Sequence, residues 1–207
     1  MYSTVKLYCD SLLKSTDQIH PDRKILLEKL AEHIHTKIEQ TGEIKLVFIC
    51  THNSRRSHFG QVWAHVAADY FGIHGVQSYS GGTVVTSFNQ NAINALKRIG
   101  FTFHTSDEKE NPVYELRYDD NKKPIQCFSK LFNDPVNPSK AFTAVMTCGD
   151  AEENCPFVPG ADLRISTTYN DPKEFDNSPL KDNAYDERCK QIATEIFYVF
   201  SCVISKK

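Results

Sequence analysis

Four consecutive apolar residues, Leu46-Val47-Phe48-Ile49, run straight into a segment with a different period, and this change constrains the fold more than any other feature of the chain. A strand that is apolar on both sides is covered on both faces, as in a parallel sheet flanked by helices. Soon after it, Phe59, Val62, Trp63, Val66, Ala67, Tyr70 and Phe71 recur at i, i+3 and i+4, which predicts a helix from Ser57 to a stop near Gly72. Residues 76–80 read as a second strand closed by Gly81-Gly82, residues 92–99 as a helix stopped by Gly100, and residues 142–146 as a strand running on to Cys148. A last helix is expected over residues 185–204. Strands alternating with helices build βαβ units, so the expected class is α/β.

Two stretches fall outside this alternation. Residues 1–41 read as a helical N-terminal extension, because Pro21 suits a first helical turn and Leu26, Leu27, Leu30, Ala31, Ile34 and Ile38 share one face. The Thr41-Gly42 break separates it from a main domain over residues 42–207. Within that domain, residues 113–118 and 125–128 flank the turn-rich Asp119-Asp120-Asn121-Lys122-Lys123 and predict a β-hairpin insertion over residues 110–133. Tyr114 and Tyr118 of that hairpin are candidates for shaping a substrate mouth.

A chain of 207 residues with 40% hydrophobic content can bury one substantial core, so one domain with additions is expected. The formal net charge of -2 lacks the basic footprint that nucleic-acid binding needs. Lys6, Asp10, Lys14 and Asp17 interrupt the start of the chain, unlike a signal peptide. The most apolar late run, residues 196–204, is far shorter than the roughly 20 residues that span a bilayer, so no membrane partner is expected. Seven cysteines, an odd number, point to thiols in a reducing compartment and to a cytoplasmic location. No two of them form the short C-x₂₋₄-C pair of structural zinc sites, and no metal is expected.

The main functional candidate is the segment between the first strand and its helix, Cys50-Thr51-His52-Asn53-Ser54-Arg55-Arg56-Ser57. Backbone N–H groups converge where a strand turns into a helix, and the helix dipole favours an anion there. The same dipole and neighbouring cations favour the thiolate, the nucleophilic form of cysteine. Arg56 can hold two oxygens of a tetrahedral oxyanion in its planar fork, Ser57 can donate to the sulfur of Cys50, and Asn53 can brace the loop. Thr51, His52, Ser54 and Arg55 complete the expected oxyanion-binding loop. A Cys with an Arg six positions later is common by chance in a chain with seven cysteines. A buried strand-end Cys beside two solvated arginines would explain those residue types alone, and only the strand, loop and helix order favours an anion site.

Cys50-x₅-Arg56-Ser57 after Val47-Phe48-Ile49 resembles the phosphate loop of low-molecular-weight protein tyrosine phosphatases and of the thioredoxin-coupled arsenate reductases built on their fold. The resemblance covers residues 43–205 and extends to Ser80-Gly81-Gly82, His104-Thr105-Ser106 and Asp171-Pro172, leaving out the extension and the hairpin. It implies a three-layer α/β/α domain around a four-stranded parallel sheet, with Cys50 as nucleophile, Arg56 and Ser57 in support, and Asp171 as the acid for the departing oxygen. Pro172 biases Asp171 toward an extended backbone, although Asn133-Asp134-Pro135 shows that the same tripeptide as Asn170-Asp171-Pro172 also makes an ordinary turn.

Residues 147–156 resemble the redox segment of the arsenate reductase branch. On that resemblance Cys50 attacks arsenate, Cys148 attacks Cys50 and releases arsenite, and Cys155 attacks Cys148, with thioredoxin or a similar thiol reducing the final disulfide. Two cysteines seven positions apart meet only if what lies between them unwinds, so mobility is expected there. Ser54 stands where such reductases often carry a further Cys, and Gln61 where they carry a Glu, which weakens any carry-over of a bound potassium ion. Cys9, Cys127, Cys189 and Cys202 have no family-like surroundings and read as structural.

The function this implies is reduction of arsenate to arsenite through a Cys50-Cys148-Cys155 relay, with phosphatase activity retained by the shared loop and no cofactor beyond the thiol reductant. The first alternative is a tyrosine phosphatase that hydrolyses phosphotyrosine through a phosphocysteine at Cys50, and the second is a non-catalytic anion-binding regulatory protein.

Overall fold

The computed structural model describes residues 1–105, 108–154 and 157–205; Ser106 and Cys155, named above, lie outside the described residues. The chain opens with α1 (Ser3–Leu13) and α2 (Pro21–Thr41), and Gly42 ends α2 in the left-handed conformation at φ 75°. β1 (Ile44–Cys50), α3 (Arg56–Tyr70), β2 (Val76–Gly82) and α4 (Gln90–Ile99) follow. Asn89 caps α4 by accepting from the N–H groups of Asn91 and Ala92, which starts that helix two residues ahead of its apolar stripe. β3 (Thr102–His104), β4 (Tyr114–Arg117) and β5 (Ile125–Cys127) come next, then β6 (Phe142–Met146), α5 (Gly149–Asn154), β7 (Ala161–Ser166) and α6 (Lys181–Ile204).

The main sheet has four parallel strands in the order β2-β1-β6-β7, the α/β architecture expected. Successive side chains of a strand point to opposite faces. In β1, Leu46 and Phe48 enter the larger core, while Val47, Ile49 and Cys50 enter a smaller one with Met146, Cys148 and Ala151. Both faces are therefore dry, and the run of apolar residues follows. β7 is the strand that periodicity did not reveal: Asp162 and Arg164 interrupt its apolar positions, as suits an edge strand buried only at Ile165.

The N-terminal extension shares the larger core. Val5, Cys9 and Leu12 of α1 and Leu27, Leu30, Ala31 and Ile34 of α2 are buried in the same cluster as Tyr185, Cys189, Ile192 and Phe197 of α6. Tyr8 of α1 stacks on Trp63 of α3 with ring centroids 5.6 Å apart. The insertion is larger than a hairpin, because β3 adds a third antiparallel strand in the order β3-β4-β5. Its three residues Thr102, Phe103 and His104 are too few to show a strand period. Tyr118 does not shape a mouth: it is buried, edge-on to His65 and Phe101, and Tyr114 packs against Phe88 and Phe103. Both tyrosines fill the space between the small sheet and the helices, where their ring area counts for most.

Gly60 sets how closely α3 lies on β1, since a Cβ there would meet Phe48 Cδ1 at 2.3 Å. Overpacking of this kind costs about 1–3 kcal/mol. Gly60→Ala is expected to lower the thermal midpoint by several degrees in a calorimetric scan, and an unchanged midpoint would show that helix and strand do not approach this closely.

Candidate active site

The Cys50 side chain ends β1 and is held by the start of α3. Its Sγ lies 3.1 Å from Ser57 Oγ, which also accepts from Asn53 Nδ2 at 2.9 Å. With that lone pair occupied, the Ser57 hydroxyl proton is free to point at the sulfur. No side chain caps the N-terminus of α3, so its first N–H groups remain available to a ligand of the loop. Asn53 adopts a positive φ of 44°, which Asn tolerates better than most residues and which reverses the chain inside the loop.

The loop carbonyls are satisfied from outside. Thr51 O accepts from the N–H groups of Thr83 and Val84 at 2.9 and 2.8 Å, and His52 O accepts from Thr86 Oγ1 and Ser129 Oγ at 3.0 and 2.9 Å. Ser54 O accepts from Asn89 N at 3.0 Å, and Ser54 Oγ donates to Ser87 O. Asn53 Oδ1 accepts the main-chain N–H of Lys130 at 2.9 Å. Gly82 leaves room for this arrangement, since a Cβ there would strike Thr51 O, Asn53 N and Val84 O at 2.7–2.8 Å. Residues 83–89 and 129–130 thus form a brace around the loop.

The two arginines expected in the loop are not solvated. Arg56 Nη1 donates to Tyr169 O at 2.8 Å and Nη2 to Asp171 Oδ2 at 2.5 Å, while its buried Nε has no partner among the described residues. Arg55 is turned away, with Nε donating to Tyr185 Oη at 2.7 Å and Nη2 facing Asp176 at 3.4 Å. Asp171 also caps the following 3₁₀ turn by accepting from Lys173 N. Tyr169, Asp176, Tyr185 and Lys130 were not singled out in the sequence; Tyr169 and Lys130 act through main-chain atoms, for which side-chain patterns carry no signal.

Cys148 reaches the same place from the neighbouring strand. Ile49 pairs with Met146 in register, so the loop follows β1 where Cys148 follows β6. Cys148 Sγ lies 3.4 Å from Thr51 Oγ1 and accepts the N–H of Ala151 in the first turn of α5 at 3.4 Å. Cys155 lies outside the described residues. Among the described residues no group of three or more His, Cys, Asp or Glu side chains is placed to hold a metal ion, and no helix is long and apolar enough to cross a membrane.

Beneath the loop lies a buried polar layer. His58 is fully buried: its ring stacks on Phe88 at 4.0 Å and its Nδ1 faces Ser80 Oγ at 3.3 Å. Ser80 Oγ in turn donates to Gln61 Oε1 at 2.6 Å. Lys130 is also buried, with its ammonium 4.4 Å from the centre of the Phe128 ring. Burial, followed by the Lys130 charge, holds His58 well below its ordinary value and keeps it neutral. Burial likewise pushes Lys130 down.

With this geometry established, comparisons with known proteins bear on the site. An arsenate reductase of Staphylococcus aureus (strain NCTC 8325 / PS 47) is 28% identical over 130 residues, 61% of this chain and 77% of the relative. A solved low-molecular-weight protein tyrosine phosphatase from Bacillus subtilis superposes with a TM-score of 0.50 at 14% identity, over 78% of this chain and 98% of its own. The chain has the low-molecular-weight tyrosine phosphatase fold. An arsenate reductase solved in its phosphate-binding state shares the phosphatase fold equally well, with a TM-score of 0.50 at 13% identity over 77% of this chain and 98% of that one. No protein-family model matches the sequence. The relatives named in sequence and in fold are enzymes. In the phosphatase fold seen here, the extension and the three-stranded insertion are packed onto the sheet and its braces.

Because the folded chain keeps His58 neutral while the unfolded chain protonates near pH 6.5, the unfolded state binds more protons below that value. The stability is fully present above about pH 6.5 and is lost as pH falls, by at most about 1.4 kcal/mol per pH unit for this group. Burial lowers His65 in the same direction. Denaturant titrations between about pH 7 and pH 5 should show this slope, and His58→Asn should flatten it; an equally steep slope in the variant would place the titration elsewhere.

Proposed function

We propose that the protein is a cysteine-dependent enzyme acting on tetrahedral oxyanions, that it reduces arsenate to arsenite, and that it keeps a phosphatase activity. The observation that carries this is the meeting of two sulfur-bearing strand ends: Cys50 lies inside the oxyanion loop, and Cys148 touches Thr51 of the same loop from the adjacent strand. A hydrolase needs only the first of these. The similarity in sequence to arsenate reductases supports the same choice.

In the proposed sequence, the Cys50 thiolate attacks arsenate held by the loop N–H groups and the Arg56 fork, and a protonated oxygen leaves as water. The Cys148 thiolate then attacks Cys50 Sγ. The sulfur–arsenic bond breaks with its electron pair passing to arsenic, so arsenic(V) leaves as arsenite while two thiols become one disulfide. Cys155 next attacks Cys148 Sγ and frees Cys50, and an external dithiol such as thioredoxin reduces the Cys148–Cys155 bond. α5 spans most of the distance between those cysteines, so the second exchange requires this short helix to unwind. The thiols suit a reducing compartment, and the cytoplasm is the proposed location.

Tyrosine phosphatase activity is the second reading, favoured by the Asp171 carboxylate at 2.5 Å from Arg56 Nη2. In that reaction the Asp171 carboxyl, in its protonated form, gives its proton to the departing phenolic oxygen, and the resulting carboxylate takes a proton from the water that hydrolyses the phosphocysteine. Cys148 and Cys155 then have no chemical role.

Arsenite formation with thioredoxin, thioredoxin reductase and NADPH, measured beside hydrolysis of p-nitrophenyl phosphate, separates the two. Cys50→Ser should abolish both activities, lowering hydrolysis by about a thousand-fold or more. Cys148→Ser and Cys155→Ser should abolish arsenite turnover and spare hydrolysis. Hydrolysis equal in all but the Cys50 variant, with no arsenite from the wild type, would make the protein a phosphatase.

A further inference from the structure

Tyr169 is the point where the active-site arginine meets the rest of the molecule. Its carbonyl accepts from Arg56 Nη1 at 2.8 Å, and its N–H donates to Thr147 O at 3.1 Å, in the residue before Cys148. Its phenol is buried and donates to Glu195 Oε2 at 2.8 Å. Burial and the Glu195 charge push that phenol up, so it stays a neutral donor.

Glu195 is an unusual occupant of the interior, only 4% exposed on α6. Its Oε2 is gripped by Arg23 of the N-terminal extension, through Nε at 2.9 Å and Nη2 at 2.7 Å. The same guanidinium lies 5.0 Å from the centre of the Tyr169 ring and reaches Thr168 O at 3.5 Å. A continuous path of charge-assisted contacts therefore runs Arg23, Glu195, Tyr169, Arg56, Asp171. Of these five residues only Arg56 belongs to the oxyanion loop, and Arg23 lies in the extension.

We propose that Arg23, Glu195 and the Tyr169 hydroxyl are positioning residues, which fix the segment 168–171 so that the Tyr169 carbonyl presents the Arg56 fork to the oxyanion and Asp171 stands over the leaving oxygen. A buried carboxylate is retained only when paired and hydrogen-bonded, and the packing of α2 on α6 alone calls for apolar residues there, as Leu27, Leu30 and Ile34 supply. The network instead places a buried charge behind the carbonyl that holds Arg56, an arginine of the oxyanion loop. Removing it leaves the fold's core contacts in place and frees the acid segment. Displacing reacting groups by about 1 Å is costly, on the order of a hundred-fold in rate.

The role of Asp171 in this inference rests on the phosphatase chemistry proposed above, while the role of Arg56 rests only on anion binding. Two readouts keep them apart. The first is the affinity for inorganic phosphate by titration calorimetry, which needs no turnover. The second is the ratio of kcat for phenyl phosphate to kcat for p-nitrophenyl phosphate, because a poor leaving group depends more on the acid. Tyr169→Phe removes one hydroxyl, Glu195→Gln removes the charge but keeps an acceptor, and Arg23→Lys keeps the cation. Tyr169→Phe and Glu195→Gln are expected to weaken phosphate binding by about three- to ten-fold and to lower the kcat ratio by about ten-fold, with Arg23→Lys closer to wild type. A purely structural role would lower the thermal midpoint and leave both readouts within about two-fold of wild type, and that result would overturn the proposal. If the wild type hydrolyses neither ester, the phosphatase chemistry is wrong, and phosphate affinity alone decides whether the network positions Arg56.

Discussion

The site depends on where the carbonyl oxygens of the oxyanion loop go. A buried peptide must satisfy both its polar groups, and a loop that presents N–H groups to an anion must send its carbonyls the other way. Here the carbonyls of Thr51, His52 and Ser54 each find donors on the outside, from residues 83–89 and from Ser129. A side chain at position 82 would collide with three of the backbone atoms involved, so Gly82 is a condition of the arrangement. The chemistry assigned to Cys50 and Arg56 follows only because this outer ring of hydrogen bonds holds the inner one open.

The parts of the chain that lie outside the family resemblance add to the surroundings of the site. The segment after β5 brings Ser129 to His52 O and Lys130 to both Asn53 and Gly82, so the insertion closes the loop from behind. The extension brings Arg23 to Glu195 and hence to Tyr169. Lys130 illustrates what such service costs. Its charge is buried, and it is compensated by a ring face at 4.4 Å and a carbonyl at 3.4 Å instead of a close carboxylate. Its main-chain groups, not its ammonium, make the contacts with the loop.

The sheet and the loop were legible because both are written locally. A doubly covered strand needs consecutive apolar residues, an amphipathic helix needs its stripe, and Cys50 through Ser57 lie between them without a gap. β7 and β3 were not, since the first is an edge strand with charged residues and the second is three residues long. The neighbours of Arg56 were half legible. Asp171 has a motif, Asp-Pro, but Tyr169 binds through its carbonyl, and any residue except one that cannot take the conformation would read the same in sequence. Arg23 and Glu195 are 172 positions apart and look like two ordinary surface charges on amphipathic helices. Their pairing exists only once α2 lies against α6. Tyr118 failed in the opposite direction: alternation suggested exposure, and the helix behind the small sheet buried it.

The cysteines show how the fold sorts chemically identical side chains. Burial pushes the thiols of Cys9, Cys127 and Cys189 up to about 12, which keeps them protonated and poor nucleophiles at neutral pH. Each sits within a helix or strand, and Cys189 accepts the Trp63 indole N–H at 3.2 Å. Cys50 and Cys148 are equally hidden from solvent, yet each lies at a strand end where a donor faces the sulfur, Ser57 Oγ in one case and the Ala151 N–H in the other. Burial alone therefore does not distinguish these two cysteines from the other three. What distinguishes them is their place where a parallel strand stops and a helix begins, a place whose polar backbone suits an anion. The proposed nucleophile and the proposed resolving thiol thus stand at the same end of the parallel sheet, at the ends of neighbouring strands.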